Sequence, residues 1–210
     1  MYGMKTLRYD VEDKQSDYTQ KVPFMADRCF RMLVCGPSGS GQTNLLLDMI
    51  YRLLYYDKIY LYAKNLQQSK YQHLINLFDS INKEAGYPLI EATNDKIIPL
   101  DAMPCDNQKL VIFDDYLNTG TKNDAEIRNY FTNSRNKNCS CIYLSQSYYG
   151  TDKTIRLSCT RHCIFEFPSS NEQNMICREL GVNKSHYQRA TQEPYDFIYV
   201  DKPKNFNENV

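Results

Sequence analysis

A glycine-rich turn set between a short apolar run and a helical pattern constrains this chain more than any other feature. Residues 31–35 read R-M-L-V-C, residues 36–44 read G-P-S-G-S-G-Q-T-N, and residues 43–54 carry apolar side chains at helical spacing with no Gly or Pro. An apolar run this short, ended by glycine, suits a strand buried on both faces. The turn therefore joins a strand to a helix, the context required of a phosphate-binding loop of the form G-x-x-x-x-G-K-[ST]. Glycines at 36, 39 and 41 allow successive backbone amides to curl inward, and the helix that follows adds its positive end. Gly36, Ser38, Gly39, Ser40, Gly41, Gln42, Thr43 and Asn44 are accordingly the candidate nucleotide-binding residues. Thr43 is the candidate hydroxyl ligand to Mg2+. Gln42 stands where the motif has Lys.

A second element supplies carboxylates. Residues 109–115, K-L-V-I-F-D-D, form a hydrophobic run ending in Asp114 and Asp115. At the carboxyl edge of a sheet, beside the phosphate loop, Asp114 can hold the water shell of Mg2+ and Asp115 can orient or deprotonate an attacking water. A third hydrophobic run, 139–146, ends in Ser145 and Gln146. In the ATPase division with an extra strand between the two motif strands, a polar residue at that tip senses the γ-phosphate, and Gln146 is the candidate.

The rest of the pattern alternates in the same way. Strands are expected at 58–63, 164–167 and 196–200, and helices at 70–84, at 123–131 with Asn123 as N-cap, and at 171–181, stopped by Gly181. On the helix at 70–84, Tyr71, Leu74, Ile75, Phe78 and Ile81 share one apolar face. Strand–helix alternation predicts an α/β fold with a mostly parallel central sheet and helices on both faces. Residues 1–28 read as an N-terminal arm, 29–167 as the core of an ATPase domain and 168–210 as its C-terminal extension.

Composition removes several function classes. The chain has 210 residues with 25 basic and 25 acidic side chains, so it lacks the global footprint of a polybasic nucleic-acid binder, and any such contact must be local. No segment reaches the roughly 20 apolar residues of a membrane span, and no apolar signal core opens the sequence. The reading is no membrane partner and an intracellular site. The eight cysteines read as buried thiols of a reducing compartment. Those of C-T-R-H-C, at 159–163, have no C-x-x-C spacing that would suggest zinc.

G-P-S-G-S-G-x-T-N, I-Y-L-Y-A-K-N-L-Q-Q-S-K-Y-Q-H-L, V-I-F-D-D and S-R-N-K-N-C-S-C-I-Y-L-S-Q-S-Y-Y occur in this order. Together they resemble the genome-packaging ATPases of poxviruses, other large DNA viruses, virophages and Maverick/Polinton elements, within the FtsK/HerA superfamily. The resemblance covers roughly residues 22–167. It implies a RecA-like P-loop core of the additional-strand type, ATP and Mg2+ as cofactors, and a homo-oligomeric ring with a trans-acting arginine. It also implies translocation of double-stranded DNA into a capsid, a capsid or portal protein as partner, and a host cytoplasmic, nuclear or virion-associated location at viral assembly. Arg135 is the leading candidate for the arginine, with Arg156 and Arg161 as alternatives. Residues 117–122 and 148–156, the latter with Lys153 and Arg156, are candidate DNA-facing loops.

Gln42 is the departure from the family. A neutral amide donor contributes about 0.5–1.5 kcal/mol where a charged one contributes about 1.5–3. Binding can survive that loss; turnover falls about tenfold for each 1.4 kcal/mol missing from the transition state. Three explanations stand together: a degenerate natural ATPase, a silenced variant, or a neighbouring Lys or Arg that restores the charge. The alternative functions are a nucleotide-binding but non-hydrolysing structural or regulatory subunit, and a small-molecule phosphotransferase.

Overall fold

The computed structural model describes residues 29–53, 56–94, 96–116 and 121–202. The N-terminal arm, most of the 117–122 loop and the last eight residues lie outside that description. Among the described residues seven strands form one sheet: β1 (Arg31–Cys35), β2 (Lys58–Ala63), β3 (Ile90–Thr93), β4 (Lys109–Asp114), β5 (Cys139–Ser145), β6 (Arg161–Phe165) and β7 (Phe197–Asp201). Their order is β3-β2-β4-β5-β1-β6-β7. Every neighbouring pair is parallel except β6 and β7. The strand expected between the two motif strands is β5, which lies between β1 and β4.

The α-helices among the described residues are α1 (Gln42–Asp48), α2 (Ser69–Ala85), α3 (Thr121–Asn133), α4 (Lys153–Ser158), α5 (Ser170–Leu180) and α6 (Lys184–Ala190). Alternation along the strands assigns them to layers. Met32, Val34, Leu110, Ile112, Ile142 and Leu144 share a core with Leu46 of α1 and with Tyr71 and Leu74 of α2. Leu33, Cys35, Val111, Phe113, Cys141 and Tyr143 face the other way, against Phe131 of α3, Ile155 of α4, Ile176 of α5 and Tyr187 of α6. All seven positions of β5 are buried, as a central strand with helices on both faces requires. At about 1.5–3 kcal/mol for each large apolar side chain removed from water, these two cores supply the main drive for folding. Aromatic pairs, such as Tyr62 stacked on Phe113 at 5.3 Å between ring centres, add directional packing.

Several local expectations change. The helix after the glycine turn ends as α-helix at Asp48 and continues as a π-helical turn, Met49–Leu53. Asn123 is not an N-cap, because α3 already begins at Thr121 and places it in the first turn. The fifth expected strand begins at Arg161, not at 164, with Arg161 and His162 buried inside it. Strand β3 and helix α6 are not among the expected elements; both are short, and periodicity over so few residues is ambiguous.

The 148–156 stretch is not an open loop. Asp152 caps α4 by accepting from the Thr154 and Ile155 amides, at 2.7 and 3.4 Å. Arg156 is 7% exposed, donates to Glu179 at 3.1 Å and to the Thr151 carbonyl at 2.7 Å, and lies over the rings of Tyr148 and Tyr149. A guanidinium held in this way ties the turn after β5 to α5. It can neither track DNA nor reach a neighbouring subunit, which removes Arg156 from both roles. Arg161 is 3% exposed, beside Asp201 at 3.7 Å, and its burial removes it as a trans-acting finger.

Candidate nucleotide-binding site

Parallel strands send their carboxyl ends to one edge, and the register places the candidate residues there. Val34 and Asp114 both pair with Leu144, one from each side, so the phosphate-type loop and the acidic pair stand on the same edge, about 10 Å apart across two strand spacings. Cys35 pairs with Ser145, which brings the tip of β5, Ser145 and Gln146, between them.

The loop is set by its glycines at two points. A Cβ at Gly36 would meet the Phe165 Cβ and the Ser40 Oγ, each at 2.6 Å, so only glycine lets the chain turn against β6. Gly41, the residue before α1, has φ of +106°, a region that a side chain would strain. The Leu45 amide donates to the Gly41 carbonyl at 2.9 Å and closes the first helical turn. Ser38, Gly39 and Asn44 are exposed, whereas the Ser40 hydroxyl is buried under the loop without a hydrogen-bond partner among the described residues.

Gln42 is turned inward. It is 8% exposed, and its Nε2 donates both to the Gly36 carbonyl and to the Ser145 carbonyl, the latter at 2.9 Å. The Ser145 carbonyl also accepts from the Gly36 amide at 3.2 Å. Two N–H groups on two carbonyls use the whole donor capacity of the amide. The side chain stitches the loop to the tip of β5 and keeps no hydrogen for a phosphate oxygen.

Tyr71 of α2 stands beside the candidate metal ligand Asp114. Its hydroxyl donates to Asp114 Oδ2 at 2.7 Å, and the Thr43 side chain lies close enough to favour its ionised form. Tyr71 is fully buried, and burial together with the Asp114 charge pushes its phenol well above the ordinary range, so it stays a donor at neutral pH. Burial also raises the Asp114 carboxyl; the Tyr71 hydrogen bond opposes that shift and Asp115 adds to it. Asp115 is exposed, with φ of +47°, and its amide donates to the Leu144 carbonyl at 3.0 Å. The Thr43 hydroxyl and the Asp114 carboxylate are hard oxygen donors, the kind that suits Mg2+.

Gln146 is exposed at the β5 tip, on the same edge. Arg135 is exposed as well, but in the short 3-10 turn Ser134–Lys137 before β5, at the opposite edge of the sheet from the loop of its own chain. Tyr71 was read from the sequence only as part of an apolar helix face. Periodicity shows that a tyrosine faces the core, not which oxygen its hydroxyl meets.

Among the described residues no group of three or more His, Cys, Asp and Glu gathers as a metal site, and no helix is long and apolar enough to cross a membrane. Six of the eight cysteines, 35, 139, 141, 159, 163 and 177, are buried thiols as expected, whereas Cys29 is half-buried and Cys105 is exposed.

The profile of the family described as Poxvirus A32 protein matches residues 20–191. Among solved structures, the genome packaging NTPase B204 from Sulfolobus turreted icosahedral virus 2 in complex with AMPPCP aligns with a TM-score of 0.55 at 13% identity, over 83% of this chain and 93% of that one. The same protein in complex with ATP-gammaS aligns at 0.53 and 12% identity, over 82% and 92%. At such identity the likeness is one of fold, and it agrees with a RecA-like α/β core. No curated protein matches by sequence.

Proposed function

The chain belongs to the Poxvirus A32 protein family, and we propose that it is an ATP-binding subunit of a viral motor that moves double-stranded DNA into a capsid. The observation that carries this reading is the Asp114 carboxylate, held by Tyr71 with Thr43 nearby, at the sheet edge where the glycine loop turns. In this reading the backbone of residues 36–44 holds the phosphates, and Thr43 and Asp114 hold Mg2+, which when bound offsets phosphate charge. Tyr71 keeps Asp114 aimed. Asp115 takes the water-orienting position, Gln146 senses the terminal phosphate, and Arg135 serves the site of a neighbouring subunit in a homo-oligomeric ring. Lys153, exposed at the start of α4, is the cation left to the 148–156 segment for DNA contact. Double-stranded DNA and a capsid or portal protein are the partners, at viral assembly sites in the host cell.

Gln42 sets the limit of the activity. With both amide hydrogens on protein carbonyls, Gln42 supplies neither the charge nor the hydrogen bond of the motif lysine. Hydrolysis is therefore slow while nucleotide binding persists. The same observation favours a second reading, a nucleotide-binding but non-hydrolysing structural or regulatory subunit. A small-molecule phosphotransferase fits less well with β5 lying between β1 and β4.

ATP hydrolysis by the unaltered chain, Gln42→Lys and Gln42→Lys/Asp115→Asn, each with and without duplex DNA, separates these readings. A motor subunit shows DNA-stimulated turnover in Gln42→Lys, raised at least about tenfold over the unaltered chain and lost with Asp115→Asn. Binding without turnover in all three supports the second reading. Full motor-like turnover in the unaltered chain, with no gain from Gln42→Lys, contradicts the account of Gln42.

A further inference from the structure

Tyr195 is 69% exposed, the most exposed of the large hydrophobic side chains described, and has φ of +72°. A bulky residue in that region is a backbone outlier, and such strain persists where the surrounding structure imposes it. Burial does not account for it, because the ring is largely in solvent. Its surroundings do impose it. The turn between α6 and β7 is closed by the Asp196 amide on the Glu193 carbonyl at 3.1 Å, and buried Thr191 anchors its start through the Tyr187 carbonyl at 3.0 Å. On the other side, Phe197 pairs with Phe165 across β6 and β7, with ring centres 5.4 Å apart.

The result is an aromatic ring held against the phosphate-type loop. A Cβ on Gly41 would stand 3.1 Å from Tyr195 Cδ1 and 3.6 Å from Phe165 Cε1. Phe165 is buried, so of the rings that meet Gly41 only Tyr195 offers a face to a ligand. A nucleotide held by its phosphates on this loop carries its base away from the loop, and aromatic faces bind bases by stacking, with little regard to base identity.

We propose that Tyr195 is the stacking platform for the base of the bound nucleoside triphosphate, a specificity-determining contact that separates nucleotides from bare polyphosphate. This rests on the nucleotide-site reading above. The test is calorimetric titration of the full chain with a non-hydrolysable ATP analogue and with inorganic tripolyphosphate, for the unaltered protein, Tyr195→Gly and Tyr195→Phe. Glycine removes the ring while accepting the positive φ, so the turn is kept. The expected result is an affinity for the analogue about tenfold lower in Tyr195→Gly and retained in Tyr195→Phe, with tripolyphosphate binding unchanged throughout. Equal loss for both ligands would make Tyr195 a support of the loop and overturn the proposal. So would an unchanged affinity for the analogue in Tyr195→Gly, which leaves the nucleotide site itself standing. If the unaltered protein binds neither ligand, the nucleotide site falls and the platform with it.

Discussion

Replacing His162 by Gln should remove a large part of the acid sensitivity of this fold. His162 lies in β6, between Leu33 of β1 and Val200 of β7, and is fully buried. Its Nε2 is 3.4 Å from the Arg156 carbonyl, and Nδ1 has no hydrogen-bond partner among the described residues. Burial first and the Lys202 charge second lower its pKa from 6.5 to about 3. The sign follows from where each state takes up the proton. Above pH 6.5 both states are neutral and the full stability is present. As pH falls below 6.5 the unfolded chain binds a proton that the folded chain refuses, so stability is lost at about 1.4 kcal/mol per pH unit until the folded imidazole also titrates. At pH 5 the loss is about 2 kcal/mol, which for a domain of this size lowers Tm by about 4–8 °C. Thermal melts followed by circular dichroism at pH 7.5 and pH 5 should show that component in the unaltered chain and not in His162→Gln. His73 and His186 are exposed and unaltered in both proteins. An identical fall in Tm for the two would refute the burial account of His162.

Two further outcomes follow from the same edge of the sheet. Gly36→Ala places a methyl 2.6 Å from the Phe165 Cβ, a backbone-proximal atom that cannot swing away; the loop must shift, and fluorescence titration should find nucleotide binding lost or reduced at least about tenfold with little change in far-UV signal. Tyr71→Phe deletes the donor to Asp114 Oδ2 from a fully buried ring; a hydrogen bond to a charged group contributes about 1.5–3 kcal/mol, so the urea midpoint should fall, and an unchanged midpoint would mean that water satisfies the carboxylate equally well.

What could be read along the chain was whatever depends on neighbours in sequence. Apolar runs at 31–35, 109–114 and 139–145 had to be strands with both faces covered, and a glycine turn followed by helical spacing had to join strand to helix. Tandem aspartates at the end of an apolar run had to emerge at a strand tip. Those are local statements of backbone geometry and hydrophobic period, and Gly36, Gly41, Asp114 and Gln146 stand on one edge as they require. Arg156 shows the limit: in sequence it is one more cation near a glycine, and only the packing of α5 brings Glu179 and two tyrosine rings around it.

The chemistry of the site was decided in three dimensions. Gln42 was recognisable as a missing charge, yet the use of both its amide hydrogens depends on the Ser145 carbonyl, 103 residues away in sequence. Tyr71 meets Asp114 across 43 residues, and Tyr195 reaches Gly41 only because β7 runs back along β6. Periodicity specifies which face of an element is apolar. The polar atom that each buried or strained side chain meets is set by how separate elements pack, and that information is absent from any local window of residues.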